Sequence, residues 1–338
     1  MTDEHAAPLA DTPDAPPVTQ HEAPAAQYDD STFGESDRTT ISTSIKSSAQ
    51  SFQFVHGRRW HAFEENSYWL PNDDIEINRL ELQHICWKIS LNGRLYLAPI
   101  PDDVHHIIDI GTGTGQWAIE FADSHPSASV IGTDLSPIQP SWLPTNCNFL
   151  IDDAEEEWVY DHKFDFIHSR MLTLGIHNWP RYFQQTWNWL KPGGWMEVQE
   201  VVFPVCHEGD VDAEAPMLKW SQYVRDAAAA DNIDTQASTK FRKYLEDQGF
   251  VNIHWRPVKW PVGAWSEKEH EKRLGKLVDE NTDRFVPPMV KLFTKWLDWT
   301  PEQYAEFATK VTADQKDPER KYYWMFNLYY AQKPEAAE

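Results

Sequence analysis

Short apolar runs alternate with amphipathic stretches through the middle of the chain. The apolar runs lie at 106–110, 130–133, 149–151, 164–167 and 195–198. The stretch 179–190 has helical spacing, with Pro180 in its first turn. Strands that alternate with helices indicate parallel β-α units. We therefore predict an α/β fold with a doubly wound, mainly parallel sheet of the Rossmann-like type.

The pattern on both sides of this alternation is mainly helical. Residues 73–97 carry apolar side chains at helical spacings, which predicts one or two N-terminal helices. Beyond residue 200 we predict helices at 213–230, 239–248, 266–280 and 290–310, and strands at 251–255 and 322–331. The late helices form an insertion before the last strand. Such an insertion can cover the carboxyl edge of the sheet, where open α/β sheets bind ligands.

These patterns divide the chain into a tail at 1–51 and one domain at 52–335. Residues 1–40 contain nine acids, one base and five prolines, and residues 39–51 are rich in Ser and Thr. A segment with so few large apolar side chains cannot offset its ordering entropy, so we expect the tail to be disordered. Within the domain we predict an N-terminal helical cap at 60–100, a cofactor-binding core at 104–200, and substrate-cap helices with the last strands at 203–335.

Charge and composition exclude several classes of protein. The 30 basic and 53 acidic residues give a net charge of −23, which repels a phosphate backbone and argues against direct nucleic-acid binding. The sequence has no apolar run of the roughly 18 residues that a membrane span needs, so we expect no membrane contact. The three cysteines are widely spaced and fit neither a disulfide framework nor a zinc site. The acidic start at Met1 is unlike a secretory signal, so we expect a protein that is not secreted and resides in the cytoplasm and/or the nucleus.

A glycine-rich turn follows the first strand of the predicted core. Glycines occur at every second position from 111 to 115, and backbone N–H groups in such a turn can approach a ligand closely. The dinucleotide fingerprint requires a third glycine where this chain has Gln116, which disfavours NAD. The spacing suits S-adenosylmethionine, and a tight turn without a ligand is the alternative. The predicted contacts are Asp109, Gly111, Thr112, Gly113 and Gly115.

Acidic residues end the next two strands. Asp134 is placed to accept hydrogen bonds from both ribose hydroxyls, although NAD sites use an acid there too and a helix-capping role is also open. The third strand ends in Asp152 and Asp153, which face opposite sides if the strand continues. We favour Asp153 for the adenine amino group, with the backbone of Ala154 meeting a ring nitrogen. Residues 155–157 are expected to be a solvated charge run at a helix start.

The fourth strand carries His168 and Arg170 to the same edge of the sheet. His168 could take a proton from an attacking hydroxyl or amine, or could remain neutral and orient the loop. Arg170 could meet the cofactor carboxylate or pair with a nearby acid. Glu200, at the end of the fifth strand, is the reserve candidate for the base. The histidines lack the spacing of metal ligands, so we expect no metal.

Three blocks of sequence together resemble the fungal LaeA-like class I S-adenosylmethionine-dependent methyltransferases. The blocks begin with YWLPNDDIE at 68–76, DIGTGTGQWA at 109–118 and FDFIHSR at 164–170. The resemblance extends over about residues 60 to 335. It implies a methyltransferase fold, S-adenosylmethionine as cofactor, and helices around 68–97 that fold over the cofactor with Tyr68 as a contact.

The resemblance implies two functions. The first is methyl transfer to a small metabolite or a protein acceptor, linked to fungal secondary metabolism. The second is a LaeA-like regulatory subunit that associates with velvet-type proteins and transfers little or no methyl. In the second case the acidic tail and the aromatic carboxyl-terminal segment would serve as docking surfaces.

Overall fold

The fold is taken from a computed structural model, which describes residues 53–55, 57–60 and 69–336. The prediction of a disordered tail at 1–51 lies outside the described residues, and so does Tyr68. A two-stranded antiparallel hairpin, β1 (Gln53–Val55) and β2 (Arg58–Trp60), precedes the main sheet. Strands this short have no recognisable periodicity, and the sequence analysis did not predict them.

A seven-stranded sheet forms the centre of the domain. Its strands are β3 His106–Ile110, β4 Ser129–Asp134, β5 Cys147–Ile151, β6 Phe164–Arg170, β7 Leu190–Glu208, β8 Val251–Pro261 and β9 Lys321–Gln332. They run in the spatial order β5-β4-β3-β6-β7-β9-β8, and β9 is antiparallel to both of its neighbours. Strands β3 to β7 pair in parallel. The predicted doubly wound, mainly parallel α/β fold is therefore confirmed.

Helices cover both faces of this sheet, and the first and third of them begin at a side-chain cap. The Asp73 side chain accepts from the backbone N–H of Glu76 at the start of the first helix, and Asn178 does the same for Arg181 at the third. The helix bounds are α1 Asp74–Ser90, α2 Gln116–Ser124, α3 Trp179–Trp189, α4 Pro216–Ala230, α5 Phe241–Gln248, α6 Glu269–Phe285, α7 Val290–Trp296 and α8 Pro301–Gln315.

Two predicted elements differ from the structure for clear physical reasons. The helix expected over 290–310 is two helices, because Thr300 caps a new helix with a reciprocal capping box and Pro301 stands at its first position. The strand expected at 195–198 extends to residue 208. Past residue 198 it continues through Gln199 and Glu200, polar side chains that are fully buried and hydrogen-bonded, so the mainly apolar run ends before the strand does.

The core is divided by the sheet and its helical layers. One buried cluster joins α1 to α4, α6, α7 and the last strands, and it contains Trp87, Trp220 and Trp260. A second lies between α3, α5 and the sheet, and a third lies around α2. The insertion α6–α8 thus packs on the N-terminal helix α1 as well as on the sheet. This packing leaves a cavity at the carboxyl ends of the strands.

Candidate functional site

The candidate site is the cavity at the carboxyl ends of β3 to β6, with one wall contributed by α1. β3 lies between β4 and β6, so the loops that follow these three strands meet there. Of the predicted residues that the structure describes, Gly115 and Glu200 do not line the cavity. The predicted residues that do line it are Asp109, Gly111, Thr112, Gly113, Asp134, Asp153, Ala154, His168 and Arg170.

The glycine loop has positive φ at all three of its glycines, which favours residues without a Cβ. A Cβ at Gly113 would meet only Leu80 Cδ1, at 3.6 Å, so this residue borders open space in the cavity. A Cβ at Gly115 would lie 2.3 Å from the ring of Phe149. Gly115 therefore lets the loop pack on the sheet, whereas Gly113 presents its backbone to the cavity.

Asp134 links the second strand to the glycine loop. Its Oδ2 accepts from the Gly113 N–H at 2.8 Å and its Oδ1 accepts from the Ser136 N–H at 2.9 Å. Burial raises the pKa of this carboxyl to about 6, and the nearby Asp109 adds to the rise against the two backbone hydrogen bonds. Asp134 caps the turn through Ser136 and also lies on the cavity wall. The capping role therefore does not exclude contact with a ligand.

His168 is held in one orientation by a carboxylate and an indole ring. Its Nδ1 lies 2.7 Å from Asp109 Oδ1, and its ring stacks on Trp117 with centroids 3.9 Å apart and planes 2° from parallel. Burial lowers the pKa of His168, despite the raising effect of Asp109. A neutral ring that donates from Nδ1 keeps a lone pair on Nε2. That Nε2 atom is buried and has no hydrogen-bond partner within the described ranges.

Arg170 is part of a chain of polar contacts that the sequence analysis did not predict. Its Nη2 donates to His84 Nδ1 at 3.1 Å, and His84 Nε2 donates to Glu120 Oε1 at 3.1 Å. Glu120 also accepts from Lys88 Nζ at 2.7 Å. Burial lowers the pKa of His84, and the Arg170 charge lowers it further, so the ring is neutral. Arg170 thus contacts a histidine of α1 across the cavity, which only the tertiary fold brings near.

Asp152 and Asp153 both line the cavity. Asp152 Oδ2 accepts from the Tyr160 hydroxyl at 3.2 Å, and Asp153 Oδ1 accepts from the Glu155 N–H at 2.8 Å. The preference for Asp153 as the adenine contact stays a prediction. Residues 155–157 do not begin a helix: residue 155 lies in a turn, and the Glu155 carboxylate accepts from the backbone N–H of His177 at 2.8 Å.

Glu200 has a different environment from the one expected for a reserve base. Its carboxylate accepts from the backbone N–H of Leu172 at 2.9 Å and from both the N–H and the hydroxyl of Thr173, at 2.7 and 2.6 Å. Burial raises the pKa of Glu200 to about 7. Leu172 and Thr173 themselves line the cavity. The structure thus places Glu200 behind the cavity wall, where it holds the segment that follows β6.

An ion pair on α1 also lines the cavity and was missed by the sequence analysis. Arg79 Nη2 donates to Glu76 Oε1 at 2.6 Å, and both side chains are almost fully buried. Asn281 of α6 donates to the Arg79 carbonyl at 3.0 Å, which ties α1 to the insertion. The helical i,i+3 spacing of Glu76 and Arg79 was visible in the sequence, but their burial was not.

Residues 79–255 match the family described as Methyltransferase domain. The chain belongs to this methyltransferase-domain family. The family assignment agrees with the parallel sheet and with a glycine loop at the end of its first core strand.

Several fungal members of the family are similar over most of the chain. Methyltransferase pytC of Aspergillus terreus is 38% identical over 301 residues, which cover 88% of this chain and 93% of that protein. Secondary metabolism regulator laeA of Aspergillus flavus is 30% identical, with coverage of 86% and 80%. Protein-methionine methyltransferase laeA of Emericella nidulans is 30% identical, with coverage of 86% and 79%. The resemblance to the LaeA-like proteins is thereby confirmed.

Within residues 53–55, 57–60 and 69–336, there is no group of three or more His, Cys, Asp or Glu side chains placed to hold a metal ion. Over the same ranges, none of the helices is both long and apolar enough to cross a membrane.

Proposed function

We propose that this protein is an S-adenosylmethionine-dependent methyltransferase linked to fungal secondary metabolism, with a small metabolite or a protein as the methyl acceptor. The observation that carries the proposal is the convergence of Gly113, Asp134 and the 152–154 segment on one cavity at the carboxyl edge. Two acidic strand ends beside an open glycine loop offer the donors and acceptors that an adenosine and an amino acid require. The family and its fungal members support the same assignment.

We assign the cofactor contacts by their position around the cavity. Asp134 would accept from the ribose hydroxyls, Asp153 and Ala154 would meet the adenine, and the amino acid end would lie over residues 111–113. Arg170 would approach the carboxylate end, in agreement with its place on the wall beside the loop. Gly115 would act only by shaping the loop. Asp109 and Thr112 would support it, since the Thr112 hydroxyl donates to Asp109 Oδ2 at 2.6 Å. Tyr68 stays a prediction from the resemblance.

The chemistry that this site needs from the protein is mainly positioning. When bound, the cofactor supplies a methyl group already activated on a sulfonium. Holding an acceptor in line with that group can contribute roughly 7 to 11 kcal/mol through proximity and orientation. His168 is the candidate base, because Asp109 fixes its Nδ1 proton and leaves Nε2 free to accept one. Glu200 is proposed as a positioning residue for 172–173 rather than as a base.

The test combines activity with cofactor binding. Purified protein given methyl-labelled cofactor and an extract of the source fungus is expected to label an acceptor. Asp134→Ala and Gly113→Asp are both expected to lose binding of S-adenosylhomocysteine in calorimetry. Asp134→Ala removes the carboxylate that would accept from the ribose hydroxyls, and Gly113→Asp places a charged side chain in the open loop. If both variants keep wild-type affinity, the cofactor assignment is wrong.

A regulatory role is the second candidate, and the similarity to the secondary metabolism regulator laeA of Aspergillus flavus favours it. In this case the output would be association with velvet-type regulatory proteins, in the cytoplasm and/or the nucleus. A pull-down from fungal extract compares the partners of the wild type with those of Gly113→Asp, and the phenotype of a strain that carries the variant is compared with that of the wild-type strain. If the partners and the phenotype both survive the loss of cofactor binding, the regulatory role is supported. Loss of the phenotype together with cofactor binding supports the enzyme.

A further inference from the structure

No carboxylate is hydrogen-bonded to Arg170 in the part of the chain that the structure describes. Arg170 is partly buried on the cavity wall, at the end of β6. Asp109 and Glu120 attract its charge, but both carboxylates accept their hydrogen bonds from other side chains. A guanidinium that is withdrawn from water without a bonded counter-charge is costly. The arrangement therefore suits an anion that enters the cavity.

The place of Arg170 in the sheet brings it beside the glycine loop. β3 and β6 pair in parallel, with Ile110 opposite Ser169. Arg170 follows Ser169 at the level of Gly111, and both Arg170 and Gly111 line the cavity. The proposed function lays the amino acid end of the cofactor over residues 111–113. The carboxylate of that end is the anion that Arg170 would meet.

His84 of α1 contacts this guanidinium from another wall of the cavity. Its Nδ1 accepts from Arg170 Nη2 at 3.1 Å, and its Nε2 donates to Glu120 Oε1 at 3.1 Å. The His84 side chain is only 5% exposed, so the packing around it restricts its movement. A ring that is held at both nitrogens sets the direction in which the guanidinium points.

The two contacts require one tautomer of His84. Arg170 can only donate, so Nδ1 must carry a lone pair, and a carboxylate can only accept, so Nε2 must carry the proton. Burial and the Arg170 charge lower the pKa of His84 to about 4, so the ring is neutral at neutral pH. Lys88 Nζ also donates to Glu120 Oε2 at 2.7 Å, which holds that carboxylate in place. Glu120 thus selects the tautomer whose Nδ1 can accept from Arg170.

We propose that His84 is a positioning residue, which holds the Arg170 guanidinium toward the carboxylate of the cofactor and is itself held in the required tautomer by Glu120. The inference rests on the proposed function, since Arg170 has a cofactor to meet only in such a site. It makes α1 part of the cofactor site, because a side chain of this helix orients an arginine of β6. The alternative is that His84 serves stability alone.

The test uses two ligands that differ at one end. S-adenosylhomocysteine carries the amino acid carboxylate, whereas methylthioadenosine has the same adenosine and no amino acid. Calorimetry gives the Kd of both ligands for each variant. A variant that disturbs the carboxylate contact weakens S-adenosylhomocysteine alone, and a variant that disturbs the fold weakens both. Arg170→Met is expected to weaken S-adenosylhomocysteine at least about tenfold, the effect of one charge-assisted hydrogen bond, and methylthioadenosine less than about twofold.

Two substitutions of His84 separate its two contacts. The amide nitrogen of Gln can replace Nε2, so His84→Gln keeps the bond to Glu120 and loses the acceptor for Arg170. This variant is expected to weaken S-adenosylhomocysteine about fivefold and methylthioadenosine less than about twofold. The amide oxygen of Asn can replace Nδ1, so His84→Asn is expected to bind both ligands within about twofold of the wild type. His105→Gln, at an exposed histidine directly before β3, is the control and should match the wild type.

Glu120→Ala reaches the same contact from the surface, since the Glu120 side chain is 32% exposed. Without this carboxylate the ring proton can move to Nδ1, which then no longer accepts from Arg170. The expected result is an about threefold weaker binding of S-adenosylhomocysteine and unchanged binding of methylthioadenosine. If His84→Gln does not fold, this variant decides the question.

Failure of this inference is distinguishable from failure of the proposed function. If neither ligand binds to the wild type, the proposed function is wrong. If both ligands bind, and His84→Gln and Glu120→Ala weaken them equally or not at all, His84 has no positioning role and only this inference is overturned. If Arg170→Met also affects the two ligands equally, the carboxylate lies elsewhere, and the assignment of Arg170 is wrong as well.

Discussion

Protonation of Asp134 is expected to control cofactor affinity. The ionised carboxylate, and not the neutral acid, can accept both ribose hydroxyl protons. Because burial raises the pKa of this group to about 6, it is mostly charged at neutral pH and becomes neutral in mild acid. The affinity for S-adenosylhomocysteine should therefore be greatest above this pKa and should fall as the pH drops through it.

The size of the effect follows from this pKa. At about pH 8 nearly all Asp134 is ionised, and at about pH 5 roughly one molecule in eleven is. If the neutral form binds much more weakly, the Kd should rise about tenfold between these values, or about 1.4 kcal/mol of binding free energy. Calorimetric titrations at several pH values measure this change directly.

Two variants show whether the pH dependence arises at Asp134. Asp134→Asn should bind weakly at every pH, and its Kd should change less than threefold across the range, because the titrating group is gone. Asp161→Asn removes a carboxylate that is 79% exposed and precedes β6 at the opposite edge of the sheet, so its Kd should follow the wild type. A tenfold change that persists in Asp134→Asn would refute the reasoning.

Three further predictions concern the loop, the wall behind the cavity and the base. Gly115→Ala should lower stability by about 1–3 kcal/mol more than Gly209→Ala in urea unfolding, since both residues have positive φ but only the first would press a Cβ into the Phe149 ring; equal losses would contradict this. Glu200→Ala should cost about 1–3 kcal/mol by the same measurement, because buried donors lose their acceptor; an unchanged unfolding midpoint would show that water replaces it. His168→Gln should slow methyl transfer by roughly 10²–10⁴-fold while the Kd for S-adenosylhomocysteine changes less than threefold; a normal rate would leave His168 an orienting role only.

The strand ends of this protein could be predicted from sequence because their cause is local. An apolar run that stops at Asp134 or at the glycine loop marks both the end of a buried strand and a position at the carboxyl edge. Parallel pairing then brings those ends together without further information. The convergence of most predicted residues on one cavity follows from this rule.

The contacts that close the cavity depend on the tertiary fold and could not be predicted in this way. Asn281 and Arg79 are 202 residues apart, and the hydrogen bond between them exists only because α6 packs on α1. Arg170 and His84 are likewise 86 residues apart. The role expected for Glu200 rested on its place at a strand end, but its carboxylate faces the backbone of Leu172 and Thr173. Neither pairing nor side-chain direction at these positions has a local signature.

The most direct test of the central claim is a crystal structure of the protein with S-adenosylhomocysteine. The account predicts the adenine beside residues 152–154, the ribose hydroxyls on the Asp134 carboxylate and the amino acid end over the backbone of Gly113. If the ligand is bound elsewhere, or if the cavity is filled by side chains under saturating ligand, the account of this site is contradicted.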